Sequence, residues 1–148
     1  MEVDRGHWAL GLTPDPDKYF GFVYLIENIT TGERYIGKKQ YCFKRMVRQA
    51  GKKRRRSTSS PSGWERYTGS SAHVNAAIAE QGIKAFTFTV LSQHTGKGDL
   101  RYAEFMEQVL RRTLTDNTYY NRQYEAIRYI PKCDPDNEYH YLAVYKGD

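Results

Sequence analysis

Apolar and aromatic positions near the start of the chain follow the pattern of two short strands joined by a turn. The run YFGFVYLIE, residues 19–27, is dense in aromatic and β-branched residues, which favour strands. Residues 28–33, NITTGE, supply turn chemistry through Asn28 and Gly32. The extended pattern then resumes in RYIGKKQ at 34–40. Together these segments predict an antiparallel hairpin.

The next segment has the spacing of a short helix. Within residues 41–50, the side chains of Phe43, Met46 and Val47 would share one face of a helix. The sequence GKKRRRSTSSPSG at 51–63 is basic and then rich in Ser, Pro and Gly. It predicts a loop that stays mobile until it meets a polyanion.

The second half of the domain predicts two helices around one strand. Ser70 or Ser71 suits the N-cap of a helix that runs to about Gln81. Residues 85–91, AFTFTVL, alternate as a half-buried strand does. Residues 100–114 have the clearest amphipathic stripe of the chain.

This order of elements predicts an α+β fold, with a small, mainly antiparallel three-stranded sheet flanked by helices. The length of 148 residues suits a single domain. We assign residues 1–18 to an irregular lead-in and 19–125 to the domain, in which the basic stretch 51–63 is an insertion. Residues 126–148 form a C-terminal extension, and 139–144 could add a last strand.

The charge of the chain indicates which class of partner it binds. The net charge of +6 and the pI of about 9.3 favour polyanions, nucleic acid before an anionic membrane. Ten of the nineteen residues in 38–56 are Lys or Arg and none is acidic, although a solvated basic loop would look the same. The candidate DNA-binding residues are Lys38, Lys39, Lys44, Arg48, Lys52, Lys53, Arg54, Arg55 and Arg56.

Other site classes find little support. Cys42 and Cys133 form no CxxC knuckle and predict free thiols in a reducing compartment. The four histidines lack HxxxH or HExxH spacing, which argues against zinc. Without an apolar leader or a run of membrane-spanning length, we expect a cytoplasmic protein with no membrane partner. No pattern indicates the oligomeric state.

Two tripeptides in the predicted hairpin carry a family resemblance. Phe22-Val23-Tyr24 and, after ten intervening residues, Tyr35-Ile36-Gly37 resemble the paired tripeptides that name the GIY-YIG nucleases. Phe22 departs from the pattern, because the family usually has Gly there. Further matches in the family's order are Asn28, Arg45, the WERYTGSS stretch at 64–71, Glu104 followed by Gln108, and Tyr120-Asn121. The resemblance covers about residues 19–125 and implies a metal-dependent DNA endonuclease.

The resemblance also implies roles for single residues. It makes Tyr24 the general base, Tyr35 a neighbour that shapes the site, Arg45 the phosphate clamp and Glu104 the ligand of Mg²⁺ or Mn²⁺. One carboxylate can suffice because Mg²⁺ often keeps several waters, and the guanidinium fork stays charged throughout. A free tyrosine has a pKa near ~10, so the metal and nearby cations would have to lower the pKa of Tyr24.

Four other positions have less definite roles. Gly37 and Asn121 are supporting residues of the implied site. Either Lys38 or Lys39 could contact phosphate directly, and the pattern does not choose between them.

Simpler explanations exist for each residue alone, such as strand packing for the tyrosines or a solvated carboxylate for Glu104. Trp64 and Tyr67 are as compatible with the core as with DNA contact. Two other functions stay open: an inactive nucleic-acid-binding module on the same fold, which Phe22 would favour, and a basic assembly protein. For the active enzyme we prefer a phage-type context, in homing or in degradation of competing DNA, with restriction as another possibility.

Overall fold

The computed structural model describes residues 4–122. Its described strands are β1 Leu10–Gly11, β2 Gly21–Asn28, β3 Arg34–Gln40, β4 Cys42–Arg48, β5 Arg55–Pro61 and β6 Phe86–His94. Its described helices are α1 Ala72–Gln81 and α2 Lys97–Leu110. Neither helix has the length and apolar character that crossing a bilayer would require. The expected strand at 139–144 and the extension 126–148 lie outside the described residues.

The main sheet has the strand order β1-β6-β2-β3. β2 pairs antiparallel with β3, which confirms the predicted hairpin, and it also pairs antiparallel with β6. β1 lies parallel to β6 through Leu10 and Gly11. The α+β class is therefore confirmed, but the expected three-stranded antiparallel sheet is corrected to a mixed sheet of four strands. A two-residue strand is too short to show the alternation that would have revealed it within residues 4–18.

The sheet separates two apolar clusters, because alternate side chains of β2 point to opposite faces. Phe22 and Tyr24 belong to the first cluster, which includes Trp8 and lies on the side of α1. Val23 belongs to the second, which is on the side of α2 and includes Leu100. Both faces of β2 are thus covered, which explains why its apolar run is nearly continuous.

Residues 41–50 are not a helix. They contain β4, which pairs antiparallel with β5, and the two strands form a separate sheet. The predicted mobile loop 51–63 contains β5 and the turn that leads to it. Helical spacing was misleading here because Phe43, Met46 and Val47 are exposed. An amphipathic helix is stabilised mainly by packing of its apolar face, and these side chains do not pack in the core.

Both helices predicted for the second half of the domain are present, with altered limits for the longer one. Ser71 caps α1 by accepting a hydrogen bond from the Val74 amide, and Gly82 ends it with a positive φ. α2 begins three residues earlier than expected and ends at Leu110. Leu114 lies beyond the helix and is 42% exposed, so it extends the sequence stripe without reaching the core.

The outer edge of β3 is partly covered by residues 118–121. The amide of Tyr120 donates to Arg34 O at 2.7 Å, and Arg34 N donates to Thr118 O at 2.7 Å. Asn121 then braces the strand, since its Oδ1 accepts from Ile36 N at 3.0 Å and its Nδ2 donates to Ile36 O at 2.8 Å. This brace holds β3 in place just before Gly37.

We expect Asn121→Ala to lower the free energy of unfolding by about 2–4 kcal/mol, because the buried N–H of Ile36 would lose its partner and the Ile36 carbonyl would keep only the long hydrogen bond from Gln108. Urea unfolding of the purified protein measures this effect. Asn117 is exposed and provides a matched control, for which Asn117→Ala should change stability by less than about 0.5 kcal/mol. Equal stability of the Asn121 variant and the wild type would contradict the brace.

Candidate active site

A cleft of about 320 Å³ opens at the outer edge of β3, and side chains from both faces of the sheet reach it. Its lining residues are Tyr24, Tyr35, Gly37, Lys38, Tyr67, Ser70, Glu104, Gln108, Asn121 and Arg122. The structure therefore brings together three of the four residues expected to be catalytic, and it adds both supporting residues.

Gly37 explains how Tyr24 reaches this edge. Tyr24 and Gly37 are paired across β2 and β3, and the phenol ring of Tyr24 lies over the Gly37 backbone. A Cβ at position 37 would collide with the Tyr24 hydroxyl. Glu104 comes from α2 on the other side of the sheet. Because Gly37 has no side chain, Tyr24 can lie over β3 and line the same cleft as Glu104.

Three tyrosines form one side of the cleft. The ring of Tyr24 lies 6.2 Å from that of Tyr35 and 6.1 Å from that of Tyr67, measured between centroids. The Tyr35 hydroxyl is 3.5 Å from Ser70 Oγ, and Tyr67 hydrogen-bonds the Tyr24 hydroxyl. Sequence reasoning left Tyr67 undecided between core and DNA contact; the signal that could have placed it is its position in the WERYTGSS stretch.

Two of these phenols, those of Tyr24 and Tyr35, have a pKa that favours their neutral form. Burial raises the pKa of Tyr24 well above its usual value, and the neighbouring Tyr67, Tyr35 and Glu104 raise it further. Burial also raises the pKa of Tyr35, although its hydrogen bond to Ser70 acts in the opposite direction. The described protein groups thus act against the expected lowering of the Tyr24 pKa.

The opposite side of the cleft carries a constrained carboxylate. Glu104 Oε2 is 3.4 Å from Lys38 Nζ, and Glu104 Oε1 accepts from Gln108 Nε2 at 3.3 Å. Only 7% of Glu104 is exposed. Gln108 Nε2 also donates to Ile36 O at 3.4 Å, which ties the carboxylate to β3. These contacts therefore hold the carboxylate group of Glu104 in one orientation.

The remaining predicted residues are spread along β3 and the second sheet. Lys38 lies in the cleft, whereas Lys39 Nζ lies 4.1 Å from the ring centroid of Tyr67. Arg45 is in β4, where its backbone pairs with Thr58, and its side chain lies outside what the structure describes. The expected DNA-binding residues of the second sheet and its turn are Lys44, Arg48, Lys52, Lys53, Arg54, Arg55 and Arg56.

Comparison with known protein families agrees with this geometry. Residues 8–124 match the family model described as "Putative endonuclease segE, GIY-YIG domain". The chain belongs to the GIY-YIG endonuclease family. No curated protein and no solved structure matches the chain in the corresponding comparisons. The matched span begins at Trp8, whose buried ring packs against Phe22 and Tyr24.

The GIY-YIG assignment makes the departure at Phe22 interpretable. Phe22 is fully buried, and its ring packs against those of Trp8, Tyr41 and Trp64 in the first apolar cluster. The bulky side chain therefore fills the core below the cleft. It leaves the positions of Tyr24, Tyr35 and Glu104 at the cleft intact.

The carboxylate fits a hard cation that needs few protein ligands. Within residues 4–122 there is no cluster of three or more His, Cys, Asp or Glu side chains, as a closed zinc site would require. A single buried carboxylate is compatible with Mg²⁺ or Mn²⁺, because such ions complete their coordination with water and substrate phosphate. Glu104 is the carboxylate that lines the cleft.

Gly37→Ala should displace the Tyr24 ring from the cleft edge, because the new methyl group would occupy the space of the phenol hydroxyl. We expect a loss of about 1–3 kcal/mol in unfolding free energy, typical of overpacking. Unfolding curves and the near-ultraviolet circular dichroism of the tyrosines measure both effects. Gly32→Ala adds a methyl group in open space at a φ of 76°, so it separates a general loss of stability from a collision with Tyr24, and its tyrosine spectrum should stay that of the wild type. A tyrosine spectrum unchanged in Gly37→Ala would refute the close approach.

A buried neutral phenol also predicts a pH dependence of stability. The pKa of Tyr24 is raised in the folded state, so above pH ~10 only the unfolded chain ionises this group, and unfolding is favoured as pH rises. Between pH 8 and pH 11 the wild type should lose about 1.4 kcal/mol more than Tyr24→Phe, which has no such group. Denaturant unfolding at several pH values tests the sign. Parallel pH curves for the two proteins would show that Tyr24 ionises equally well in both states.

Proposed function

We propose that this protein is a divalent-metal-dependent endonuclease that hydrolyses phosphodiester bonds in duplex DNA. The observation that carries the proposal is the meeting of the Glu104 carboxylate with the phenols of Tyr24, Tyr35 and Tyr67 in one cleft. The family membership supplies the class of reaction. The cleft supplies charge and hydrogen-bond donors on opposite sides of a space in which a phosphate group could lie.

Glu104 is the residue that would hold the metal ion. When bound there, Mg²⁺ or Mn²⁺ supplies Lewis-acid polarisation of the scissile phosphate and stabilises the leaving oxygen. Gln108 keeps the carboxylate aimed at the cleft through its hydrogen bond to Oε1. Lys38 partly neutralises the carboxylate and adds a cation next to the position of the substrate phosphate.

Lys38 is accordingly our choice over Lys39 for direct phosphate contact. Its ammonium group lines the cleft together with Glu104, whereas the ammonium group of Lys39 lies over the ring of Tyr67. Burial lowers the pKa of Lys39, because desolvation disfavours its charged ammonium group. Lys39 would then orient Tyr67, and Lys38 would bind the phosphate.

The tyrosines would order the attacking water. With its raised pKa, Tyr24 keeps its proton at neutral pH and acts as a hydrogen-bond donor in the free protein. The proposed general-base role therefore requires added positive charge near the Tyr24 hydroxyl, of the kind that a cation held by Glu104 would supply, before this proton can leave. Tyr35 and Tyr67 would fix the direction of that hydroxyl.

Arg45 is proposed as the phosphate clamp, with support from its place in the family's motif order and from its position in the strongly basic β4. Its planar guanidinium would neutralise the charge that develops on the phosphate oxygens. We further propose a phage-type enzyme of the cytoplasm that acts in homing or degrades competing DNA. The WERYTGSS stretch supports that context because it resembles phage-borne members of the family.

Glu104→Gln should reduce the rate of cleavage by a factor on the order of 100–1,000, since the substitution keeps the shape of the side chain but removes its charge. Nicking of supercoiled plasmid with Mg²⁺ or Mn²⁺, and with EDTA as a metal-free control, measures the rate. Glu107 lies one turn further along α2 and pairs with Arg111 Nε at 2.8 Å, away from the cleft. Glu107→Gln should therefore keep its rate within about three-fold of the wild type.

Two outcomes would contradict the assignment. Undiminished nicking by Glu104→Gln would place the metal elsewhere. DNA binding by the wild type without cleavage, under every divalent metal, would instead favour the inactive binding module.

A further inference from the structure

The positive charge of the chain is concentrated in the separate β4–β5 hairpin. Residues 42–61 contain eight of the 23 basic residues and none of the 17 acidic ones, so the rest of the chain has a net negative charge. The two strands pair with each other and not with the main sheet. Because the rest of the chain carries the opposite net charge, we expect the hairpin to be the part that attracts a polyanion.

The hairpin has firm attachment at its base. Tyr41 is buried, its amide donates to Phe20 O at 2.9 Å, and its hydroxyl donates to Gln93 Oε1 at 2.5 Å. Ser62 closes the other end, because its Oγ lies 2.7 Å from the carbonyl oxygens of both Gln40 and Tyr41. Seven paired residues per strand give an arm of roughly 20 Å beyond this base.

Strand alternation gives the arm two faces of different composition. Cross-strand partners share a face, and Phe43 pairs with Ser60 as Val47 pairs with Arg56. We call the first set the cleft face: Phe43, Val47, Arg56, Thr58 and Ser60. The other set is the back face: Lys44, Met46, Arg48, Arg55, Ser57 and Ser59.

Contacts at the base show which face looks towards the active site. Lys39 Nζ lies 4.9 Å from the ring centroid of Phe43 and 4.1 Å from that of Tyr67, which lines the catalytic cleft. Lys44 and Ser59 of the back face instead line a different hollow, together with residues 16–20. A ligand along the cleft face would therefore continue into the cleft.

We infer that the β4–β5 hairpin is a ribbon arm that lies in the major groove of duplex DNA, with its cleft face towards the base edges. The inference rests on the proposed function for the identity of the ligand. The major groove is about 12 Å wide and admits a two-stranded β-ribbon. Arginine can bind guanine O6 and N7, hydroxyl groups can bind any base, and apolar side chains contact thymine methyl groups.

Other occupants of this surface fit less well. A symmetric contact between the hairpins of two copies of the chain would bring like charges together, which is unfavourable. The exposed Phe43 and Val47 are separated by three residues of β4, and Met46, the other exposed apolar residue of this strand, belongs to the back face. These side chains therefore form no continuous apolar surface of the size that a protein partner needs. A polyanion with a groove matches both the positive charge and the narrow shape of the β4–β5 hairpin.

Arg55 and Arg56 provide a matched pair of variants, because both are exposed, carry the same charge and lie on opposite faces. Each would be changed to Gln in the full chain with Glu104→Gln, so that the DNA is not cut during the measurement. Fluorescence anisotropy with a short labelled duplex gives the dissociation constant. Protection of guanine N7 from dimethyl sulfate reports occupation of the major groove.

We expect Arg56→Gln to raise the dissociation constant on the order of ten-fold, and Arg55→Gln by about two- to three-fold through the loss of general attraction alone. The Arg56 substitution should also reduce N7 protection more than the Arg55 substitution. Equal losses in the two variants would show that only net charge matters. Absence of N7 protection, or equally tight binding of single-stranded DNA, would overturn the groove assignment.

Cleavage by the unmodified chain is measured separately, which distinguishes this inference from the proposed function. If plasmid stays intact with every metal while the Arg56 preference and N7 protection hold, the nuclease assignment fails and the ribbon arm stands. If plasmid is nicked but the two arginine variants behave alike, the enzyme stands and the ribbon arm fails.

Discussion

The close approach of the Tyr24 ring to the backbone of Gly37 is the constraint on which the site depends. A sheet normally keeps the side chains of its two faces apart. Here a single missing side chain on the edge strand β3 lets a phenol from one face lie over that strand and line the same cleft as Glu104, which comes from the other face. Asn121 and Gln108 both hydrogen-bond the backbone of Ile36, so the strand is fixed directly before that glycine.

This arrangement places chemistry at an edge rather than in the centre of the sheet. An edge gives access to a long, stiff substrate, because none of the described strands lies beyond β3 and residues 118–121 cover its outer side only in part. It also keeps the phenols in contact with the aromatic core formed by Trp8, Phe22 and Trp64. The site therefore combines exposure towards solvent with rings whose positions are fixed by packing.

The sequence was informative wherever local pattern and burial agree. The β2–β3 hairpin, α1 with its Ser71 cap and the amphipathic α2 follow from spacing, because each has an apolar side that packs against the sheet. The motif order anticipated that Tyr24, Tyr35, Gly37, Glu104 and Asn121 meet. Tyr67 was left undecided, since a tyrosine in a loop gives no periodic signal.

The prediction of a helix and a mobile loop for residues 41–63 was wrong for a physical reason. Apolar spacing predicts which side of an element is buried, but Phe43, Met46 and Val47 are not buried against anything. The backbone pairing of β4 with β5 decides the conformation, and pairing between exposed strands leaves little mark on the local pattern of side chains. The two-residue β1 escaped notice for a similar reason, because its partner β6 lies far along the chain.

The attachment of the hairpin at Tyr41 and Ser62 has a consequence for how such an enzyme can diversify. Adding one residue to each strand lengthens the ladder and keeps the pairing, whereas a single extra residue in one strand would turn every later side chain to the opposite side. Length changes that preserve the pairing leave the cleft at β3 untouched. With the inferred role of the hairpin, paired insertions would give related chains new DNA preferences and leave the proposed hydrolytic centre unchanged.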